Sequence, residues 1–245
     1  MTAKSLVRLE GLTRRYGGLI AVSDLNMEVH PAEILGLIGP NGAGKSTTFN
    51  LLSGFVKPTS GQLYIDEENV TGKSPTYISK LGLIRTFQHS SLMKTLTVHD
   101  NILMGAIGGL SFLHTRKCLA RVHDVATLVG LNTYLNEISG NLSHGIQRLV
   151  SIAIAFAAHP RILCLDEPLT GLNQTEATST LRVLRRIRDE FNCSILLVEH
   201  NMKAVMQVCD RIVVLHQGKL LASGTPEEIR NNADVISAYL GPKHA

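Results

Sequence analysis

Gly39-Pro40-Asn41-Gly42-Ala43-Gly44-Lys45-Ser46-Thr47 is the stretch on which the fold turns. It has the pattern G-x-x-x-x-G-K-[ST], a loop built to hold phosphate. Before it, Ile34-Leu35-Gly36-Leu37-Ile38 is a short apolar run that reads as a buried parallel strand. After it, Thr47-Thr48-Phe49-Asn50-Leu51-Leu52 has helical character and runs to a stop at Gly54. Glycines let the backbone wrap tightly enough to aim several N–H groups at phosphate oxygens. The helix that follows adds its positive N-terminal end. Lys45 can then reach the β- and γ-phosphates of a nucleoside triphosphate, and Ser46 can ligate Mg²⁺.

Outward from the loop, residues 6–10 and 25–29 alternate apolar and polar, as half-buried strands do. Gln62-Leu63-Tyr64-Ile65-Asp66 reads likewise after the turn residues Pro58 and Gly61. Residues around 97–158 lack strand runs and read as mostly helical. Ile162-Leu163-Cys164-Leu165-Asp166 is a buried strand, and 175–191 is an amphipathic helix with Leu181, Leu184, Ile187 and Phe191 on one side. Ser194 to Val198 is another buried strand. Arg211 to His216 and Lys219 to Leu221 flank Gln217-Gly218, a two-residue hairpin signal. Strand, loop, helix, strand, helix, strand is an α/β alternation, which predicts a mostly parallel sheet. The helical stretch between about 90 and 158 then forms an inserted subdomain.

The chain has 245 residues, enough for one large domain or two subdomains. Its net charge of +4 comes with no dense Lys/Arg stripe, so no nucleic-acid partner is expected. The four cysteines, Cys118, Cys164, Cys193 and Cys209, are far apart and follow no metal spacing. They read as reduced and structural, which suits the cytosol. The N-terminal residues have no signal-peptide core, and the longest apolar stretch, Leu149 to Ala158, is about half the length needed to cross a bilayer. Membrane work by this protein would need another chain to do the spanning.

Chemistry collects at a few further places. Cys164-Leu165-Asp166-Glu167 ends a buried strand in two carboxylates, where ligands bind in open α/β sheets. Asp166 is placed to hold Mg²⁺, through water, and Glu167 to polarise an attacking water as general base. Gln88 follows Arg85-Thr86-Phe87. Leu142-Ser143-His144-Gly145-Ile146-Gln147 opens a helix, with Ser143 as its N-cap candidate. Pro168-Leu169-Thr170-Gly171-Leu172-Asn173 follows the carboxylates, and His200 ends the strand before it. In this order and at these spacings the motifs resemble those of the ATP-binding-cassette (ABC) ATPases over essentially the whole chain. Ile84-Arg85-Thr86-Phe87-Gln88, Val198-Glu199-His200-Asn201-Met202 and the tail Ala238-Tyr239-Leu240-Gly241 are similar to the ATPase subunits of branched-chain amino acid importers.

The resemblance implies a P-loop NTPase (RecA-like) core with an antiparallel β subdomain and an inserted α-helical subdomain. Residues 1–90 and 159–245 would form the β subdomain and core, and 91–158 the helical signature subdomain. Two ATPase subunits, identical or different, would face each other around ATP and Mg²⁺. Tyr16 would stack on the adenine. Gly39 and Pro40, with the backbone of Asn41, Gly42, Ala43, Gly44, Lys45, Ser46 and Thr47, would wrap the phosphates. Lys45, Ser46, Gln88 and Asp166 would organise phosphates and Mg²⁺, Glu167 would act as base, and His200 would contact the γ-phosphate. Ser143 and Gly145 would donate to the γ-phosphate of the opposite subunit's ATP. Transmembrane permease subunits and a periplasmic substrate-binding protein are the implied partners, with the chain peripheral on the cytoplasmic face of the inner membrane.

The sequence departs from the family pattern Leu-Ser-Gly-Gly-Gln. His144 stands for the first Gly and Ile146 for the Gln. If that Gly position needs a positive φ, His144 costs stability there. Asn173 stands where many members have Asp. These changes bear on catalytic strength rather than fold. They leave open a nucleotide-binding regulatory subunit with weak hydrolysis, a urea or amide importer, another ABC transporter, and a soluble cassette ATPase of translation or DNA repair.

Overall fold

The computed structural model describes residues 5–86, 92–109 and 115–240. Two long strands, β1 (Val7–Tyr16) and β2 (Leu19–Val29), form an antiparallel hairpin that closes at the Tyr16–Leu19 pair over Gly17-Gly18. Both run well beyond the alternating segments 6–10 and 25–29. Beyond Leu12 the hairpin is largely exposed and twisted by register shifts, so burial no longer writes a period-two pattern into the residues. Then come β3 (Ile34–Ile38), α1 (Lys45–Leu52), β4 (Ser60–Ile65), the short β5 (Glu68–Asn69) and α2 (Pro75–Lys80). Every residue of β3 is buried. The helix after the phosphate loop starts at Lys45, two residues before its first apolar pattern, because Gly44 in a left-handed conformation is its N-cap.

A second unit follows, from Gly82 to Cys193. It holds β6 (Leu83–Arg85), α3 (Val98–Gly109), α4 (Thr115–Val129), α5 (His144–Ala157), β7 (Ile162–Asp166) and α6 (Gln174–Phe191). Strands β6 and β7 are parallel, with Arg85 opposite Cys164. Gly105 of α3 sits so close to the Ile154 carbonyl of α5 that no Cβ would fit between them. Asn101 is a buried polar hub: its amide nitrogen donates to Met93 O and Thr97 O at 2.9 Å and to Ser139 Oγ at 3.0 Å. That network satisfies a loop no sheet ladder serves. Helix α6 buries Leu181, Leu184 and Ile187 as its period predicts. Phe191, on the same side, stays partly exposed and meets Phe156 edge-on at 5.1 Å. The Arg121 guanidinium lies 4.6 Å from the Phe156 ring centroid and 5.9 Å from that of Phe191, and burial pulls its pKa down.

The chain returns to the first unit with β8 (Ser194–Val198), α7 (Met202–Val208), β9 (Arg211–His216), β10 (Lys219–Gly224), α8 (Pro226–Asn231) and α9 (Ala233–Leu240). Strand β3 lies between β8 and β9, parallel to both, with Leu37 opposite Val198 and Val213. Strand β10 adds antiparallel to β9 across Gln217-Gly218, both residues at positive φ as the tightest hairpin turns require. The other sheet of this unit is antiparallel throughout, in the order β2-β1-β4-β5. The expected α/β alternation and parallel pairing are therefore present, beside an antiparallel sheet.

All four cysteines are free and buried. Burial lifts the thiols of Cys164, Cys193 and Cys209 from 9.0 to about 12. At pH 8 these groups stay protonated, so a colourimetric thiol reagent should titrate none of them in the native chain and all of them in denaturant. Because the folded pKa is the raised one, their contribution to stability is whole below about pH 9 and is lost as pH climbs toward 12. Urea midpoints measured from pH 8 to 11 should fall over that window.

Candidate active site

The phosphate loop takes its shape from steric walls. Gly39, Gly42 and Gly44 have φ of 153°, 77° and 104°. A Cβ on Gly39 would run into the Leu215 carbonyl of β9, and one on Gly44 would lie 2.6 Å from the Ala21 carbonyl of β2. The hairpin turn at Gly218 completes the frame. Its N–H donates to Ala43 O at 3.0 Å, and its carbonyl accepts from Ser23 N–H at 2.8 Å. Lys45 is 7% exposed, and its Nζ donates to the Gly39 and Pro40 carbonyls at 2.7 and 3.0 Å. Ser46 lies exposed in the first turn of α1. From α9, the Tyr239 hydroxyl takes a hydrogen bond from the Gly39 backbone, while burial pushes its pKa up.

Two other expected positions belong to this unit. Gly39 and His200 follow the carboxyl ends of neighbouring parallel strands, since Leu37 pairs with Val198. His200 is exposed; its N–H donates to the carboxylate of the buried Glu199 at 3.2 Å, and Asn201 after it caps α7 through Ala204 N–H. Tyr16 ends β1 with 42% of its surface exposed.

The second unit carries the other group. Asp166 closes β7, 7% exposed, with Oδ2 at 3.0 Å from Nη2 of Arg85. Both side chains of that pair are 9% exposed, so the guanidinium neutralises a carboxylate that burial would otherwise disfavour. Glu167 follows at a φ of 50° and accepts from Thr170 Oγ1 at 3.2 Å. Ser143 caps α5, its hydroxyl taking Ile146 N–H at 3.4 Å. His144 is the first helical residue and has no positive φ, so the strain considered for it does not arise. Its ring lies against Gly171, where a Cβ would meet Cε1 at 3.1 Å. Gly145 faces Glu176 of α6, whose carboxylate occupies the space a Cβ would need. That carboxylate also accepts the Asn173 N–H at 3.0 Å, as half of a capping box. Gln88 lies outside the described residues.

Sequence reasoning gave Arg85 and Glu176 no role. The first carried no local sign, because no strand was expected at 83–85 and Asp166 lies 81 residues further on. Asn173-x-x-Glu176 was a readable sign of the second.

A strand–loop–helix cradle, a carboxylate-ended parallel strand and a capped signature helix define an ATP-binding cassette, and the comparisons agree. Residues 22–170 match the family described as ABC transporter, and residues 219–241 match the branched-chain amino acid ATP-binding cassette transporter family. The chain belongs to the ABC transporter family, as an ATP-binding subunit that hydrolyses ATP, built on a P-loop NTPase core. It is 43% identical to the high-affinity branched-chain amino acid transport ATP-binding protein LivG of Escherichia coli (strain K12), over 98% of this chain and 99% of that protein. It is 40% identical to the corresponding protein BraF of Pseudomonas aeruginosa, with the same coverage. Among solved structures, it is similar to a nucleotide-free ATP-binding cassette from an ABC transporter, with a TM-score of 0.88 and 27% identity over 97% of this chain and 100% of that one. The ADP conformation of another such cassette gives 0.87 and 26%, over 97% and 99%.

Arg85→Met should leave Asp166 buried without its cation and lower stability by about 3–5 kcal/mol, with Arg85→Lys well short of that loss in thermal melts. Gly145→Ala should displace the Glu176 carboxylate and cost about 0.5–2 kcal/mol through the lost cap. In a double-mutant cycle with Glu176→Ala the two losses should be clearly less than additive.

Proposed function

We propose that this chain hydrolyses ATP to drive uptake of branched-chain amino acids through separate membrane subunits. One observation carries the substrate reading: near-complete alignment with LivG and BraF, joined by a tail match to the branched-chain family at residues 219–241. No helix among the described residues is long and apolar enough to cross a membrane, which fits a chain docked on permease subunits at the cytoplasmic face of the inner membrane. A periplasmic binding protein would deliver the solute. A second cassette would pair with this one, as in the dimeric structure solved for a bacterial ABC transporter cassette at 26% identity.

The chemistry is assigned residue by residue. Tyr16 stacks on adenine. The loop that opens at Gly39 and Pro40 holds the phosphates on backbone N–H groups of the stretch Asn41, Gly42, Ala43, Gly44, Lys45, Ser46 and Thr47. Lys45 exchanges the Gly39 and Pro40 carbonyls for phosphate oxygens. The Ser46 hydroxyl, the Asp166 carboxylate and the Gln88 amide oxygen are hard donors of the kind Mg²⁺ takes. Bound there, Mg²⁺ would neutralise charge on the β- and γ-phosphate oxygens. Glu167 accepts a proton as a water oxygen attacks the γ-phosphorus. The bond to the β–γ bridging oxygen breaks, leaving ADP and inorganic phosphate. His200 contacts the γ-phosphate and orients it. Ser143 and Gly145 offer a hydroxyl, an N–H and a helix N-terminus to the partner's ATP. ATP closes the pair only because it binds the closed state better than the open one.

Glu167→Gln should keep ATP binding and lower turnover by about 10²-fold or more. Unaltered turnover in that variant removes Glu167 as the base. In proteoliposomes holding the complete transporter, leucine, isoleucine or valine with their binding protein should stimulate ATP hydrolysis. Stimulation by urea or a short amide instead would reassign the substrate.

A further inference from the structure

Tyr16 sits at an exposed hairpin end, where a ring held only by its own backbone would turn freely and lose much of its value as a stacking surface. One face of that ring is covered. The Arg14 guanidinium carbon lies 4.4 Å from the ring centroid. Arg14 is itself pinned, with Nη1 donating to the Lys57 carbonyl at 3.0 Å. It also stands in register with the phosphate loop: Arg14 pairs with Val22 on β2, and Val22 and the neighbouring Ala21 carbonyl are the atoms against Gly44. A chain of fixed contacts thus runs from the loop that holds phosphates to the plane of an aromatic ring.

We propose that Arg14 is a positioning residue for the nucleotide's base, clamping one face of Tyr16 so that the other is presented to a purine. This rests on the reading of Tyr16 as the adenine platform. The cation is attracted to the ring's negative face and fixes its orientation. Ordering the ring before the ligand arrives removes a cost from binding. Arg14 does this without touching a phosphate, so its effect follows the base and not the triphosphate.

That distinction sets the experiment. Binding of ATP and of inorganic tripolyphosphate to the full chain is measured by calorimetry for the parent, Arg14→Met, Arg14→Lys, Tyr16→Leu and the double variant. Methionine keeps an apolar stem and removes the cation. Arg14→Met should weaken ATP about fivefold and leave tripolyphosphate unchanged. Arg14→Lys should recover part of the loss, and in Tyr16→Leu the Arg14 change should have no further effect. In hydrolysis, the loss should fall on KM for ATP rather than on kcat. Equal weakening of ATP and tripolyphosphate would place Arg14 on the phosphates and overturn the proposal, as would no change in either. If Tyr16→Leu weakens ATP selectively and Arg14→Met does not, the proposal for Arg14 alone is lost. If Tyr16→Leu itself spares ATP, the reading of Tyr16 is lost and the proposal with it.

Discussion

A phosphate loop has to leave most of its backbone N–H groups for a ligand, so much of its shape must come from something other than its own hydrogen bonds, of which the Ala43 N–H to the Pro40 carbonyl at 3.1 Å is one. Here it comes from absence of space. Carbonyls of Ala21 and Leu215 stand where side chains on Gly44 and Gly39 would go, and Gly218 is tied to Ala43 by a 3.0 Å hydrogen bond. Residues near positions 21, 43 and 216 therefore converge on one turn of backbone. The β1–β2 hairpin and the β9–β10 hairpin are walls for that turn as much as layers of sheet. A single methyl group would set the loop against β9 at Gly39 and against β2 at Gly44.

The groups that carry charge follow a second constraint. Each sits just past the carboxyl end of a fully buried parallel strand: the loop after β3, His200 after β8, Asp166 and Glu167 at the end of β7. Buried strands make a stiff platform, but they also make it expensive to hold a carboxylate beside them. Arg85, at the end of β6, answers that cost for Asp166 at 3.0 Å. The end of β6 thus fixes the carboxylate that ends β7.

Much of this was legible in the residues because local chemistry and global role coincide. A run such as Ile162 to Asp166 is apolar because it is buried on both faces, and its last residue is charged because the strand ends there. Gln217-Gly218 takes positive φ at both positions, and the glycine between two apolar runs marks the turn. What stayed hidden depends on distant partners. The outer half of the β1–β2 hairpin, exposed and twisted, left only Gly17-Gly18 as a trace. The Arg85–Asp166 pair joins residues 81 positions apart, and Glu176 faces Gly145 only because α5 and α6 pack together. No window of sequence contains either contact. Of the site residues named from sequence, those on the loop and the Asp166-Glu167 pair were named by pattern, whereas Gln88, Tyr16, His200, Ser143 and Gly145 took their roles only through the family's order of motifs.

The altered signature shows why a residue's cost depends on its backbone and not on the family's habit. His144 looked expensive as a replacement for glycine. It occupies the first turn of α5 at ordinary helical φ, directly after the Ser143 cap, where a side chain is tolerated. The requirement for glycine falls instead on its neighbours. Gly145 must leave room for the Glu176 carboxylate, and Gly171, at a φ of 81°, must leave room for the His144 ring. The imidazole thus fills the space that glycine at 171 leaves, and ties the start of the signature helix to the loop that follows Glu167. In a chain with glycine at 144 that contact would be missing. His144 thereby joins the start of α5, capped by Ser143, to the loop that follows Glu167, so the two segments are held by a side chain that glycine would not supply.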